Sequence, residues 1–335
     1  VVVSDCTRQT DSTAFADVLL PASAWGEKDG TVTNSERRIS RQRSFLPSPG
    51  EAKPDWWIIS EVAKRLGHGS AFDYGGPADI FREHAALTGQ TSGPGRLYDI
   101  AALADIHDAV YDGLNPIQWP VAGGVGTKRL LSDGQFPTEN RRARLIAIHP
   151  RPAASLPNAS RPLILNSGRS RDQWHSMTRT GLSPRLAAHA PEPVVDMHPG
   201  DAARLGLNDG ALAQIESDRA VMVARLHVTD SQSPGTLFVP IHWTDQVAGL
   251  AKVGPLIGAI CDPISGQPEL KQTPVSAKAF DAAWYGFALT RETVEIDGAQ
   301  WWARSRATNH HRTEFAGMTS PADWDLWART TLGEL

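Results

Sequence analysis

A stretch rich in hydrogen-bond donors, residues 166–181, is the part of the chain best suited to binding an anion. It follows a short apolar run, residues 162–165, whose composition predicts a buried strand. A glycine at the turn lets backbone N–H groups approach phosphate oxygens, and arginine offers two donors in one plane. The donors that follow the turn at Gly168 are Arg169, Arg171, Gln173, Trp174, His175, Ser176, Thr178 and Arg179. The stretch therefore predicts an anion-binding loop, with a solvated polar loop as the alternative.

Further polar residues stand near the ends of apolar runs elsewhere in the chain. They are Ser4, Asp5, Lys28, Asn34, Arg37, Arg38, Asp55 and the segment 262–271. A carboxylate can accept hydrogen bonds from guanine or ribose, and a lysine can neutralise a phosphate. Taken singly, each residue is more readily explained as a helix cap or an ion-pair partner. The glycine-rich segment 123–128 lacks the spacing of a phosphate loop, and neither G-x-G-x-x-G nor G-x-S-x-G occurs.

Composition limits the classes of function. A length of 335 residues indicates two or three domains, and a net charge of −4 provides no positive field for a nucleic-acid partner. The two cysteines, Cys6 and Cys261, are too far apart in sequence for a disulfide framework or a cluster-binding motif within the chain. No run of about eighteen apolar residues predicts a membrane span, and no signal peptide is visible. We expect a cytoplasmic protein.

The elements that must position the first donors lie in residues 1–67, which predict an α/β arrangement. Residues 1–3 and 16–21 are apolar runs typical of strands, and Asp55 is predicted to cap a helix over residues 56–66. Five apolar residues would share one face of that helix: Trp56, Ile59, Val62, Ala63 and Leu66. Because the chain opens on an apolar strand, we expect it to be a piece of a longer protein.

The rest of the chain divides into three regions. Residues 68–159 predict a helical and loop-rich connection, with helices at 77–87 and 98–110 and a strand at 143–148. Residues 160–276 predict a compact β-barrel, because short strands alternate with turn signals at 163–166, 194–197, 212–216, 221–228 and 237–240. Residues 277–335 are rich in tryptophan and predict a helix-rich packing extension. The adjacent His310 and His311 would point to different faces and make a poor metal site.

Several of these segments together resemble one family. Ala16-Asp-Val-Leu-Leu-Pro-Ala-Ser-Ala-Trp-Gly-Glu-Lys-Asp-Gly-Thr-Val-Thr-Asn-Ser-Glu-Arg-Arg38 and residues 49–57 resemble the molybdopterin oxidoreductases of the dimethyl-sulfoxide-reductase superfamily. Residues 163–276 resemble their dinucleotide-binding C-terminal domain, and residues 235–243 and 262–275 are most similar to assimilatory nitrate reductases. The resemblance covers nearly all of residues 1–290. It implies the end of a Rossmann-like α/β domain followed by a six-stranded double-psi β-barrel.

The resemblance also implies a cofactor, molybdenum bis(molybdopterin guanine dinucleotide). Fifteen residues match family positions that bind it: Ser4, Asp5, Lys28, Asp55, Ser167, Gly168, Arg169, Ser170, Arg171, Gln173, Trp174, His175, Ser176, Ile241 and Lys271. Gly254 stands where related enzymes often carry an asparagine contact, so it is not included. Cys6 does not match the family's metal-ligand cysteine, and we expect it to be a small buried residue. No catalytic residue or metal ligand is expected here, and an iron–sulfur cluster is expected only upstream.

Three functional hypotheses follow. The first is the C-terminal, cofactor-seating part of an assimilatory nitrate reductase, which reduces nitrate to nitrite with the missing N-terminal part and an electron-donor protein or domain. The chain alone is then expected to be inactive. The second is the corresponding part of a formate dehydrogenase alpha subunit, which shares most of these motifs. The third is a double-psi barrel that acts as a binding module without a cofactor, because a fold alone does not fix a function.

Overall fold

The computed structural model of the chain describes residues 1–91, 95–147, 149–296 and 298–332. Two units make up the chain, unit 1 (Val1–Ile148) and unit 2 (His149–Leu335), and each has its own hydrophobic core. Among the residues so described, no helix has the length and apolar character needed to cross a bilayer.

The described residues of unit 1 form short strands and three α-helices. In chain order they are β1 (Val2–Asp5), β2 (Val18–Pro21), β3 (Gly30–Thr33), β4 (Arg38–Gln42), α1 (Asp55–Ala63), α2 (Pro77–Gln90), α3 (Asp108–Asp112), β5 (Ile117–Gln118), β6 (Val121–Ala122) and β7 (Val125–Gly126). β1 and β2 pair in parallel, β3, β4 and β5 form a second sheet, and β6 pairs with β7. The predicted strands at the start of the chain are thus present, as a small two-stranded sheet.

The core of unit 1 lies between α2 and the β3–β4–β5 sheet. Pro77 begins α2, where its fixed φ and missing N–H are tolerated. Phe81 and Ala85 of this helix are buried with Ile39 of β4. The remaining core residues are Ile100, Leu103, Tyr111 and Val121. This core confirms the predicted helix at residues 77–87, which extends to Gln90.

Two predictions for unit 1 are wrong. The helix predicted for residues 98–110 is broken, because the Asp99 carboxylate accepts from Ala101 N at 2.9 Å and begins a single 3-10 turn at Ala101–Leu103. The chain then becomes helical again only at Asp108. The strand predicted for residues 143–148 is also absent over 143–147, which are irregular, and residue 148 lies outside the described residues.

The start and the apolar face of α1 also differ from the prediction. Pro54 occupies the cap position, and Asp55 is the first helical residue, with its carboxylate bound to Lys28 instead of capping the helix. Ala63 is buried, but Ile59 is 59% exposed and Leu66 is 71% exposed. The α-helix ends at Ala63 and continues into one π-turn. The exposure of Ile59 and Leu66 shows that the described part of unit 1 covers little of this face.

Unit 2 is built on a closed six-stranded barrel. Its elements are β8 (Leu163–Gly168), α4 (Pro184–Ala187), β9 (Val194–Met197), α5 (Pro199–Leu205), β10 (Leu212–Glu216), β11 (Val221–Val228), β12 (Thr236–Pro240) and β14 (Thr273–Ala279), with β13 (Ala248–Gly249) outside the barrel. The strand order around the barrel is β10-β11-β9-β12-β8-β14. Alternate residues of each strand point inward, so Leu163, Leu165, Val195, Ile215 and Val239 are buried in the barrel core. The predicted six-stranded barrel is confirmed.

The last region is mainly a sheet, so the helix-rich extension predicted for residues 277–335 is wrong. β15 (Trp284–Thr290), β16 (Trp301–Arg306) and β17 (His311–Gly317) join β13 in a four-stranded antiparallel sheet, followed by one helix, α6 (Trp324–Leu332). Trp301 packs against barrel residues such as Leu212 and Val223. On the opposite face, Trp284 makes edge contacts with Trp324 and Trp327. The tryptophans therefore serve packing, as expected, but Trp284 and Trp301 do so from strands and Trp324 and Trp327 from α6.

Candidate functional site

The predicted anion-binding loop leaves the barrel at the end of β8. β8 and β12 run in parallel and end side by side, and Ile241 N donates to the Gly168 carbonyl at 2.8 Å. The Leu270 carbonyl accepts from the Ser167 hydroxyl at 2.7 Å, and Lys271 Nζ donates to the Ser167 carbonyl. The structure therefore brings Ser167, Gly168, Ile241 and Lys271 together, although up to 104 positions separate them in sequence.

Gly168 is required by space at this point. A Cβ atom on Gly168 would lie 2.3 Å from Cε2 and 2.9 Å from Cζ of Phe238, on the neighbouring strand β12. Such distances are far below van der Waals contact, so the backbone of Gly168 lies against the ring because it has no side chain. The glycine thus sets the path of the chain as it enters the loop.

Residues 169–177, the donor loop, are anchored at two buried positions. Gln173 is buried, and its amide donates to the Leu186 carbonyl at 3.2 Å and accepts from the Thr180 hydroxyl at 2.7 Å. Met177 is buried in the cluster that contains Trp301. Between these anchors, three predicted residues are exposed: Trp174, His175 and Ser176. His175 and Met177 have left-handed φ values of 42° and 59°, which turn the tip of the loop outward.

The cations of this region differ in their partners. Arg171 is paired with its neighbour Asp172 at 2.8 Å and 3.0 Å, and this pair lowers the pKa of the Asp172 carboxyl. The Arg169 guanidinium lies 5.4 Å from the Trp174 ring. Within the described part of the chain, neither Arg169 nor Lys271 forms an ion pair with a carboxylate. These two side chains can therefore offer their charge to an anionic ligand.

His242 also belongs to this site, and it was not among the predicted residues. The residue is 1% exposed, Nε2 accepts from Ser170 N at 2.8 Å, and Nδ1 lies 2.7 Å from the His175 carbonyl. Burial lowers the pKa of His242, the hydrogen bond to His175 opposes this, and the nearby Arg169 and His175 lower the pKa further. Only its position directly after Ile241 could have pointed to it from sequence.

A second group of predicted residues lies in unit 1. Ser4 and Asp5 end β1, and the Asp5 side chain accepts from Thr7 N at 2.8 Å. Lys28 and Asp55 form an ion pair, although 27 positions separate them. The structure thus brings Lys28 and Asp55 together. Lys28 was predicted to bind a phosphate, but here its ammonium group binds the Asp55 carboxylate.

The residues of unit 2 fit a phosphorylated ligand. Arg169 and Lys271 supply positive charge, and neither is paired with a carboxylate of the described residues. Asn166 Oδ1, two residues before Gly168, is buried without a hydrogen-bond partner and could accept from a ligand N–H group. Among the described residues, no group of three or more His, Cys, Asp or Glu side chains could hold a metal ion. Cys6 is half-buried and Cys261 is exposed.

Comparison with known proteins identifies two domains. Residues 163–274 match the molydopterin dinucleotide binding domain, and residues 1–65 match molybdopterin oxidoreductase. The donor loop, Ile241, His242 and Lys271 all lie within the first match, and Ser4, Asp5, Lys28 and Asp55 lie within the second.

Similar proteins are considerably longer. A nitrate reductase of Klebsiella oxytoca is 46% identical over 97% of this chain and 37% of its own length. The assimilatory nitrate reductase catalytic subunit of Bacillus subtilis and the F420-dependent formate dehydrogenase subunit alpha of Methanocaldococcus jannaschii are each 34% identical over 78% of this chain and 36% of their own lengths. The chain thus spans little more than a third of these relatives.

A solved structure shares the fold. Acetylene hydratase from Pelobacter acetylenicus matches 83% of this chain and 40% of its own chain, with a TM-score of 0.61 and 21% sequence identity. At this identity, the likeness describes the backbone arrangement alone.

Proposed function

Because the chain belongs to the molybdopterin oxidoreductases, we propose that it supplies part of the seat of a molybdenum bis(molybdopterin guanine dinucleotide) cofactor in a nitrate reductase. The observation that carries this proposal is the convergence of the donor loop, Ile241 and Lys271 at one end of the barrel. Identity of 46% over nearly the whole chain to a nitrate reductase supports nitrate as the substrate.

The residues of unit 2 would share the binding of one dinucleotide tail. Arg169 and Lys271 suit a pyrophosphate, since charge-assisted hydrogen bonds to phosphate are the strong ones. Trp174 and His175 offer exposed ring faces to a base. When bound, the cofactor would supply the two-electron oxygen-atom transfer that converts nitrate to nitrite. The chain would bind and orient the cofactor, and in unit 1 Ser4, Asp5, Lys28 and Asp55 are proposed to contact it as well.

We also propose that the chain functions as part of a longer cytoplasmic enzyme of nitrate assimilation. Its relatives are more than twice as long, and the apolar face of α1 is exposed at Ile59, Val62 and Leu66. A further segment that covers this face would supply the metal ligand and an iron–sulfur cluster, and an electron-donor protein or domain would reduce the enzyme. The chain alone should then show no nitrate reduction with a reduced viologen, and turnover by the chain alone would contradict this.

A formate dehydrogenase is the second candidate. The alpha subunit from Methanocaldococcus jannaschii is 34% identical over 78% of this chain. Both enzymes would bind the cofactor with the same residues of this chain, so residues closer to the metal would determine the substrate. Assay of the full-length enzyme with nitrate and with formate separates the two candidates.

The proposed function is tested by replacing Arg169 and Lys271, which have no carboxylate partner among the described residues, as Arg169→Met and Lys271→Met in the full-length enzyme. Each lost charge-assisted contact should cost about 1.5–3 kcal/mol, which lowers cofactor affinity by roughly 10- to 150-fold. The measurement is molybdenum and guanine nucleotide per chain. Lys278→Met, an exposed lysine on β14, is the matched control and should keep its cofactor. If the cofactor content stays full and only the KM for nitrate changes, the proposal is wrong.

A further inference from the structure

His242 connects the barrel to both ends of the exposed part of the donor loop. It lies two residues after the end of β12, and its ring lies between Ser170, at the start of the loop, and His175, near its tip. With 1% of the residue exposed, the ring has no access to water, so the two protein groups are its hydrogen-bond partners. The imidazole thus bridges two points of the loop that are five residues apart.

The two partners determine which proton the ring carries. Ser170 N–H is a donor, so Nε2 must be an acceptor and cannot carry a proton. The His175 carbonyl is an acceptor, so Nδ1 must carry the proton. One neutral tautomer satisfies both bonds. The imidazolium ion has a proton on both nitrogens, and its Nε2–H would then face the Ser170 N–H.

We propose that His242 is a positioning residue that holds the donor loop in its ligand-binding shape while its imidazole is neutral and releases the loop when the imidazole is protonated. The bridge itself is a property of the chain, whereas its consequence for cofactor binding rests on the proposed function. Arg169 precedes Ser170, so loss of the Ser170 bond moves the cation that is proposed to bind the phosphate.

The electrostatic surroundings keep the ring neutral near pH 7. The charged or titratable side chains that act on the ring are Arg169 and His175, and no carboxylate of the described residues acts on it. Burial has the largest effect and lowers the pKa of His242, Arg169 and His175 lower it further, and the hydrogen bond to the His175 carbonyl opposes them. The bridge is therefore complete at neutral pH and is lost only as the pH falls below the ordinary histidine range.

Hydrogen exchange of the cofactor-free protein tests the bridge without any enzyme assay. The exchange rate of the peptide that contains residues 168–178 is measured from about pH 8 to about pH 5. At each pH it is divided by the intrinsic rate of an unstructured peptide, which gives the protection of the loop. In the wild type, the Ser170 amide should be protected at the higher pH and should exchange about ten-fold faster, beyond the intrinsic change, once the ring is protonated.

Two variants separate the bridge from simple packing. His242→Phe keeps the volume and removes both bonds, so the loop should be unprotected at every pH. His242→Gln keeps one donor and one acceptor and does not titrate, so protection should persist without a pH step. His227→Gln, at an exposed histidine on β11, should behave as the wild type. Native protection in His242→Phe, or a wild-type pH step in His242→Gln, would overturn the proposal.

The same variants distinguish this inference from the proposed function. In the full-length enzyme, His242→Phe should lower cofactor content and His242→Gln should restore most of it. If His242→Phe loses loop protection but keeps its full cofactor content, the bridge stands and the proposed contact between the donor loop and the cofactor is wrong.

Discussion

Gly168 lies so close to Phe238 that a Cβ atom on the glycine would be 2.3 Å from Cε2 of the ring. The contact joins β8 to β12 at the point where the donor loop begins. Any side chain at position 168 must therefore displace the ring or the backbone. The conformation of the loop depends on this contact as well as on the hydrogen bonds within it.

We expect Gly168→Ala to destabilise the protein by about 1–3 kcal/mol, because overpacking forces neighbouring groups to move. Denaturant unfolding measures the loss. Gly254→Ala is the control, since a Cβ there meets nothing within 4 Å and the change should be small. Adding Phe238→Leu to Gly168→Ala should recover part of the loss. Additive effects of the two substitutions would show that the ring is not the obstacle.

The barrel was predictable because its strands are short, apolar and separated by turns. The strands predicted at 194–197, 212–216 and 221–228 coincide with β9, β10 and β11. β14 was not predicted as a strand, and Pro274 near its start weakens the strand pattern. In the C-terminal region, composition suggested helices, but Trp284, Gly286 and Ala288 alternate with exposed Tyr285, Phe287 and Leu289. The period of two was the better guide.

The candidate site was predictable only in part, because hydrogen bonds between distant residues decide the role of each side chain. Sequence placed the donors of residues 167–176 at a strand end, and the structure places them there. It could not show that Gln173 is buried, or that Asp55 binds Lys28. His242 was missed since its partners are backbone groups 67 and 72 positions away. Hydrogen bonds to such distant backbone groups leave no pattern in the sequence around His242.

Asp201 should make the stability of unit 2 depend on acid pH. Its buried carboxylate, in α5, accepts from Gly235 N at 2.6 Å and Arg204 at 2.7 Å. Burial alone would raise the pKa of Asp201, but the bonds from Arg204 and Gly235 outweigh burial and lower it. The folded state then binds fewer protons than the unfolded state. This stabilisation is complete above the unfolded pKa and is lost as the pH falls through the folded pKa.

Asp201→Asn is therefore expected to cost about 1–3 kcal/mol at neutral pH, where the carboxylate has its two donors. The gap between wild type and variant in the free energy of unfolding should narrow in acid. Urea unfolding over a range of pH measures it. Asp218→Asn, in the exposed turn between β10 and β11, is the matched control and should show little effect. A gap that stays constant with pH would contradict the role assigned to Asp201.

Trp301 should be the residue that fixes the C-terminal sheet to the barrel. It is fully buried, its Nε1 donates to the Val223 carbonyl at 3.2 Å, and the Arg225 guanidinium lies 5.6 Å from its ring. Trp301→Ala should cost about 3–5 kcal/mol, as large buried aromatic residues do. Tyr285→Ala, on the exposed face of β15, should cost far less. Equal losses of stability in chemical unfolding would show that Trp301 has no special role.

Arg41 should be the electrostatic centre of unit 1, and a lysine should not replace it. The side chain of Arg41 is 3% exposed, contacts both Asp29 oxygens at 2.9 Å and 3.1 Å, and lies 4.1 Å from the Tyr111 ring. Lysine keeps the charge but cannot form the planar two-point contact, so Arg41→Lys should cost about 1.5–3 kcal/mol. Arg38→Lys, on the same strand with one 3.9 Å contact to Glu36, should be nearly neutral. Hydrogen exchange of residues 29–42 reports the local effect. If exchange is faster in both variants alike, β4 tolerates no lysine. The contact with the Asp29 carboxylate is then not the cause of the loss in Arg41→Lys.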